Sequence, residues 1–226
     1  MRLTISIAIA CLAALISVNS ASAQVVHELS VGHHPGFSMG DTEVDRILDE
    51  ASTILGRCKV TLKRKGVVQP FASASTPPMI SNPPQRDAVH AEHFDVKVVT
   101  NIGFCRFAAG HAGCAWDPPP EDPDKPRRRS MIVEHIPTAV SNTNDESEKL
   151  KLLGVVWAHE FGHMTGLWHR SEPQALMSMC KLKKDQIEIG EAECSCYVGG
   201  RDFCNKNNPE PLGGISCSIA GASGSR

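Results

Sequence analysis

The order of the residues predicts an α+β domain: one amphipathic helix, a group of short strands, a second and longer helix, and an irregular cysteine-rich end. Three observations carry that prediction. Val44, Ile47, Leu48, Ala51 and Leu55 recur at helical spacing. The stretch "FDVKVVTNIGFC" alternates and is β-branched, as strands are. Leu150, Leu153, Val156, Trp157 and Phe161 then mark one buried stripe along a long helix, which Leu152 and Val155 broaden.

The chain starts with Arg2, an apolar run to about Val18 and small residues ending in Ala21-Ser22-Ala23. This is the layout of a secretory signal peptide cleaved between Ala23 and Gln24, so the protein is expected in the periplasm or outside the cell. The apolar run is short for a membrane span and no second one follows, which disfavours a stable anchor. Cys11 is too poorly framed for a lipid attachment site.

Residues 24 to 39 read as an irregular lead-in with His27, His33 and His34 in solvent, and residues 40 to 212 as one domain. Gly40-Asp41 introduces the first helix and Gly56 stops it. "CKVTLKRKGVVQPF" is strand-like, and a Ser-, Pro- and Asn-rich loop runs on to about Gln85. "FDVKVVTNIGFC" reads as a half-buried strand, His111 to Ala115 as a short edge strand, and "SMIVEHI" as a further strand; the proline-rich stretch between the last two is a surface loop. Thr143 and Glu146 have capping-box spacing, which starts the long helix at Asn144. Residues 213 to 226 form a tail.

The net charge of −2 becomes more negative without Arg2, and no basic stripe longer than Arg127-Arg128-Arg129 exists, so nucleic acid is excluded as a partner. Nine cysteines less Cys11 leave Cys58, Cys105, Cys114, Cys180, Cys194, Cys196, Cys204 and Cys217. An even count in an exported chain favours disulfides, with 105 pairings open. Cys105 with Cys114 is the expected local pair, and Cys180 is expected to join Cys194 or Cys196. With no CxxC pair, zinc bound by cysteine is disfavoured.

One stretch concentrates the chemistry: "WAHEFGHMTGLWHR", residues 157 to 170. His159 and His163 are four apart on the helix, so both imidazoles project from one face a turn apart. That spacing suits two nitrogens on one zinc, and Glu160 beside the first can reach a water at the metal. Gly166 can take the left-handed conformation that ends a helix, which lets His169 return as a third ligand. Three histidines leave an open position, the mark of a catalytic zinc. HExxH alone is moderate evidence; HExxHxxGxxH is far more specific.

At every fixed position "HEFGHMTGLWH" resembles the metzincin zinc-peptidase signature, and "EPQALMS" is similar to the matching stretch of the matrixins. The resemblance implies a metzincin-like domain: a twisted, mostly parallel sheet with an antiparallel edge strand, packed on a long active-site helix. It implies one catalytic Zn2+ on His159, His163 and His169, Glu160 as general base, and Met177 as the methionine-turn residue under the site. It also implies that a protein or peptide substrate adds a strand at the edge formed by Gly113, Cys114 and Ala115. The activity implied is that of a zinc-dependent endopeptidase, which the N-terminal residues make a secreted one and which is expected to be a monomer.

Several positions depart from that pattern. Arg170 stands where matrixins usually have serine. Met179 stands where astacin-like relatives place a zinc-adjacent tyrosine, and the only tyrosine is Tyr197. There is no "PRCGVPD"-like cysteine switch and no structural-zinc loop, so His90, His93, His111 and His135 read as surface or supporting residues. Calcium has one weak candidate, "DPPPEDPD". Two other classes compete: a non-catalytic zinc-stabilised binding or adhesion domain, which would need the histidines but not Glu160, and a disulfide scaffold, which would need neither zinc nor Met177.

Overall fold

Residues 24 to 39 are not the irregular lead-in that their composition suggests. In the computed structural model, which describes residues 24–73, 75–105, 112–116, 129–178, 183–199 and 204, they hold two strands, β1 (Val25–Leu29) and β2 (Val31–His33). Helix α1 (Asp41–Leu55) follows and buries Val44, Ile47, Leu48, Ala51 and Leu55, the face its spacing predicts. The expected strand over 58–71 is broken into β3 (Val60–Arg64) and β4 (Gln69–Pro70), because Gly66 takes φ +72° between them. β1 pairs with β3 in parallel, so the N-terminal segment belongs to the same fold.

The stretch after β4 is more ordered than its composition suggests. It holds β5 (Met79–Ile80) and a helix, α2 (Pro83–His90), started by Asn82, whose side chain accepts from the Gln85 amide at 3.0 Å. Next come β6 (Val96–Val99), β7 (Asn101–Ile102), β8 (Gly113–Trp116) and β9 (Ser130–Glu134). A short α3 (Thr138–Ser141) leads to the long helix α4 (Glu146–Met164), and α5 (Glu191–Gly199) comes last.

The main sheet has the order β4-β2-β6-β9-β8, parallel throughout except that β8 runs antiparallel to β9 at the edge. β6 and β9 are buried along their whole length, not half-buried as the alternation in 94–105 suggests. Central parallel strands are covered on both faces, and here both covers are visible. Val96, Val98, Met131 and Val133 pack in one core with the α1 and α4 side chains. Val99 and Ile132 join Ile80, Val89 and Ile102 in a second.

Three disulfides lie among the described residues: Cys58–Cys194, Cys105–Cys114 and Cys196–Cys204. The local pair is the expected one, with its Cα atoms 5.6 Å apart. The tie from Cys180 is corrected, since Cys194 and Cys196 both have other partners. Cys180 itself, Cys217, His111, the acidic run from Asp117, the signal-like residues 1–23 and the tail 213–226 lie outside the described residues.

Candidate metal centre

Helix α4 starts two residues later than the Thr143–Glu146 spacing suggests. Asp145 is its cap: one carboxylate oxygen accepts from the amides of Ser147 (2.8 Å) and Glu148 (3.4 Å). The Thr143 hydroxyl instead donates to the Glu148 carboxylate at 3.1 Å. From there α4 runs through the core, with Val155 to Gly162 all buried, and packs against α1, β8 and β9. Gly166 then takes φ +100°, and the Leu167 amide donates back to the Gly162 carbonyl at 3.0 Å. The chain reverses, and His169 comes back over the last turn of the helix.

The three imidazoles meet. Nε2 of His159 is 3.1 Å from that of His163 and 3.3 Å from that of His169, and the last two are 3.0 Å apart. These short distances are not ordinary hydrogen bonds. His159 Nδ1 lies 2.7 Å from the Leu176 carbonyl and His163 Nδ1 lies 2.8 Å from the Leu167 carbonyl. A carbonyl only accepts, so in the neutral rings each Nδ1 carries the proton and each Nε2 is left with a lone pair. Lone pairs aimed at one point repel unless a cation sits between them. Tetrahedral zinc with Zn–N near 2.0–2.1 Å needs nitrogens roughly 3.3 Å apart, which matches this triangle. The three residues are the one cluster of metal-ligating side chains found among the described residues, and they fit zinc.

Glu160 lies on the side of α4 that faces β8. Its carboxylate accepts from the Ala115 amide, and its Oε2 is buried with no partner among the described residues. In the metal-free protein, burial pushes its carboxyl up to about 8, against the lowering effect of the Ala115 amide. Gly113 is as close: a Cβ there would overlap Cγ, Cδ and Oε1 of Glu160. The outer side of β8 is unpaired among the described residues, so Gly113, Cys114 and Ala115 form an edge beside Glu160.

Met177 is buried, and the carbonyl of its neighbour Leu176 is the one that orients His159. Its sulfur accepts from the hydroxyl of Tyr197, 3.4 Å away on α5. Gly162 makes room for both, since a Cβ there would run into the Met177 sulfur and the Tyr197 hydroxyl. Trp157 and Phe161 are packing residues of the helix, as their spacing suggests.

The other histidines are more engaged than solvent exposure implies. His27 reaches the Tyr197 carbonyl at 2.8 Å, with its ring 5.1 Å from that of Phe161. His33 is buried, and its Nδ1 lies 2.9 Å from the His34 carbonyl. His34 is half-buried and accepts from the Gly36 amide. All three correct the expectation of free surface imidazoles: the strands that composition hides carry His27 and His33 into the fold. His135 stacks on Phe37 at 4.3 Å, and His90 holds Ser130 Oγ at 3.0 Å. None of these approaches the cluster. Sequence reasoning missed Glu193, which pairs with Arg170 at 2.9 Å, because its partner is twenty-three residues away in the chain.

Residues 85–193 match the family model described as Matrixin. Among solved structures the chain is similar to archaemetzincin from Methanopyrus kandleri, at 18% identity and a TM-score of 0.47, covering 84% of this chain and 98% of that one. It is also similar to metalloproteinase-II from Bacteroides fragilis, at 13% identity and a TM-score of 0.48, covering 80% of this chain and 54% of that one. No curated protein sequence matches it.

Proposed function

We propose that this metzincin-like chain, matrixin-like across its histidine cluster, is a zinc-dependent endopeptidase exported from the cell. The observation that carries this reading is the convergence of three imidazole Nε2 atoms beside a buried glutamate that has one oxygen free. His159, His163 and His169 would hold the zinc. Bound there, zinc supplies Lewis acidity, acidifying a water and polarising the carbonyl to be cleaved.

The chain's own residues supply the rest. Glu160 takes the proton of the attacking water on Oε2 and later gives it to the leaving amine. The Ala115 amide holds the carboxylate while Oε2 stays free for that transfer. The protein or peptide substrate lies along Gly113 to Ala115, pairing main chain with main chain at the open edge of β8. Met177 acts as a packed floor and not as a ligand.

A non-catalytic zinc-stabilised binding domain would need the histidines alone. Glu160, buried and held with one oxygen free, supports chemistry instead. Export is supported by the signal-like residues 1–23 and by the disulfides, which persist in oxidising compartments. No helix among the described residues is long and apolar enough to cross a membrane. The test is metal content of the purified mature protein together with casein or gelatin cleavage, with and without a chelator. One zinc per chain and chelator-sensitive cleavage are expected. Stoichiometric zinc without cleavage of any protein substrate would favour the binding domain.

A further inference from the structure

The residue after the third histidine departs from the matrixin pattern, and the structure shows what it does. Of the three clustered histidines, His159 and His163 are fixed twice, by the helix and by a carbonyl on each Nδ1. His169 lies in the irregular segment beyond Gly166 and is the exposed member of the three. What holds its backbone therefore helps to set its place.

Arg170 holds that backbone from two sides. Its amide donates to the Met177 carbonyl at 2.6 Å, which ties His169's neighbour to the methionine turn. Its guanidinium uses all three nitrogens. Nε and one terminal nitrogen grip the Glu172 carboxylate at 3.2 and 3.1 Å, and the other terminal nitrogen meets Glu193 Oε2 at 2.9 Å. Glu193 is only 4% exposed and also accepts from the Gly190 amide at 2.5 Å, closing the first turn of α5. Removing the cation would leave so buried a carboxylate uncompensated, which is strongly destabilising.

Helix α5 is in turn anchored. Cys194, next to Glu193, is bonded to Cys58 in the turn just after α1, and Tyr197 one turn on reaches the Met177 sulfur. The contacts therefore form a closed circuit: His169 to Arg170, Arg170 to Glu193, α5 to Tyr197, Tyr197 to Met177, and Met177 back to Arg170. We propose that Arg170 is a positioning residue that holds His169 at the third corner of the imidazole triangle through its ion pair with Glu193. The proposal rests on the reading of His159, His163 and His169 as a zinc site. A lysine could not replace the arginine fully, since one ammonium cannot span both carboxylates in the plane the fork provides.

The experiment measures zinc affinity, by competition with a chromophoric chelator, for the native protein, Arg170→Ala, Arg170→Lys, Glu193→Gln and the exchanged double variant Arg170→Glu with Glu193→Arg. Thermal midpoints of the metal-free forms and the absorption of the cobalt-loaded forms are recorded beside it. Arg64→Ala, which removes an ion pair with Asp45 remote from the cluster, is the control for a merely structural loss. Arg170→Ala and Glu193→Gln are expected to weaken zinc about 10–100-fold, the range for groups that orient metal ligands. Their cobalt spectra should change as well, with Arg170→Lys intermediate and the exchanged pair partly restored. Arg64→Ala should lower the midpoint and leave affinity as it was. Native affinity in Arg170→Ala and Glu193→Gln, in a native protein that binds one zinc, would overturn the proposal. So would a loss of affinity that only follows the midpoint, as in the control. A native protein that binds no zinc overturns the metal-site reading itself and takes the proposal with it.

Discussion

Gly113 lies directly against the carboxylate of Glu160, with no room between them for a methyl group. The glycine is there for space: its φ is not left-handed, and Gly66 and Gly166 are the described glycines that need that conformation. Gly113→Ala should therefore push Glu160 off the Ala115 amide without touching a histidine. A misplacement of about 1 Å near reacting groups costs on the order of 10²-fold in rate, so kcat should fall by that order while zinc content stays native. The effect should vanish in a Glu160→Ala background, where there is no carboxylate left to displace. Equal losses in both backgrounds would show that Gly113 acts through β8 and not through Glu160.

Glu160→Ala and His163→Ala should separate chemistry from metal binding. Losing a general acid–base lowers turnover by roughly 10²–10⁴-fold, and the alanine variant should still bind zinc one to one. Removing one of three ligands should take zinc and turnover together. Zinc content plotted against turnover for both variants decides the matter, and ordinary turnover in Glu160→Ala would end the catalytic assignment.

What the sequence revealed of the site followed from local geometry. The spacing of His159 and His163 needs only helical periodicity, and Gly166 needs only a left-handed turn. Both appear as read. The face of α1 and the Cys105–Cys114 pair were legible for the same reason. The rest depended on contacts far apart in the chain. β1 exists because β3 is there to pair with it, thirty-five residues on in register, and nothing in "VVHEL" announces that partner. Cys194 could not be assigned to Cys58 across 136 residues, nor Glu193 to Arg170, because no periodicity links them. The strand over 94–105 misled in another way. Alternation implies one wet face, yet Lys97 is fully buried, carried inside by a sheet covered on both sides.

His90 should make the fold acid-sensitive. Burial, and then the charges of Lys97 and Arg86, hold its pKa well below the ordinary 6.5. Between the folded and unfolded values the unfolded chain binds more protons, so stability falls as pH drops. The contribution is complete above about pH 6.5 and is lost progressively below it. Chemical denaturation of the metal-free protein across this range should show the decline, and His90→Asn should flatten it. A native-like slope in that variant would place the sensitivity elsewhere.

Two disulfides of very different span offer the last test. Closing a loop restricts the unfolded chain more as the loop lengthens, and the cross-link entropy can be compared directly. Cys58–Cys194 spans 136 residues and Cys105–Cys114 spans 9. Taken alone, those spans correspond to about 5 and about 2.6 kcal/mol of stabilisation on the chain-entropy scale. Replacing Cys58 and Cys194 together by alanine should therefore cost more than replacing Cys105 and Cys114, measured by denaturant unfolding of the metal-free forms. The two losses should also differ in kind. The short bridge joins the end of the β7 segment to β8, so its loss should loosen the edge where Gly113 and Ala115 meet Glu160 and reduce turnover with zinc retained. The long bridge anchors α5, which carries Glu193 and Tyr197, so its loss should weaken zinc binding as well as the fold. Equal costs for the two pairs, with zinc affinity unchanged in both, would mean that α5 is held by packing alone.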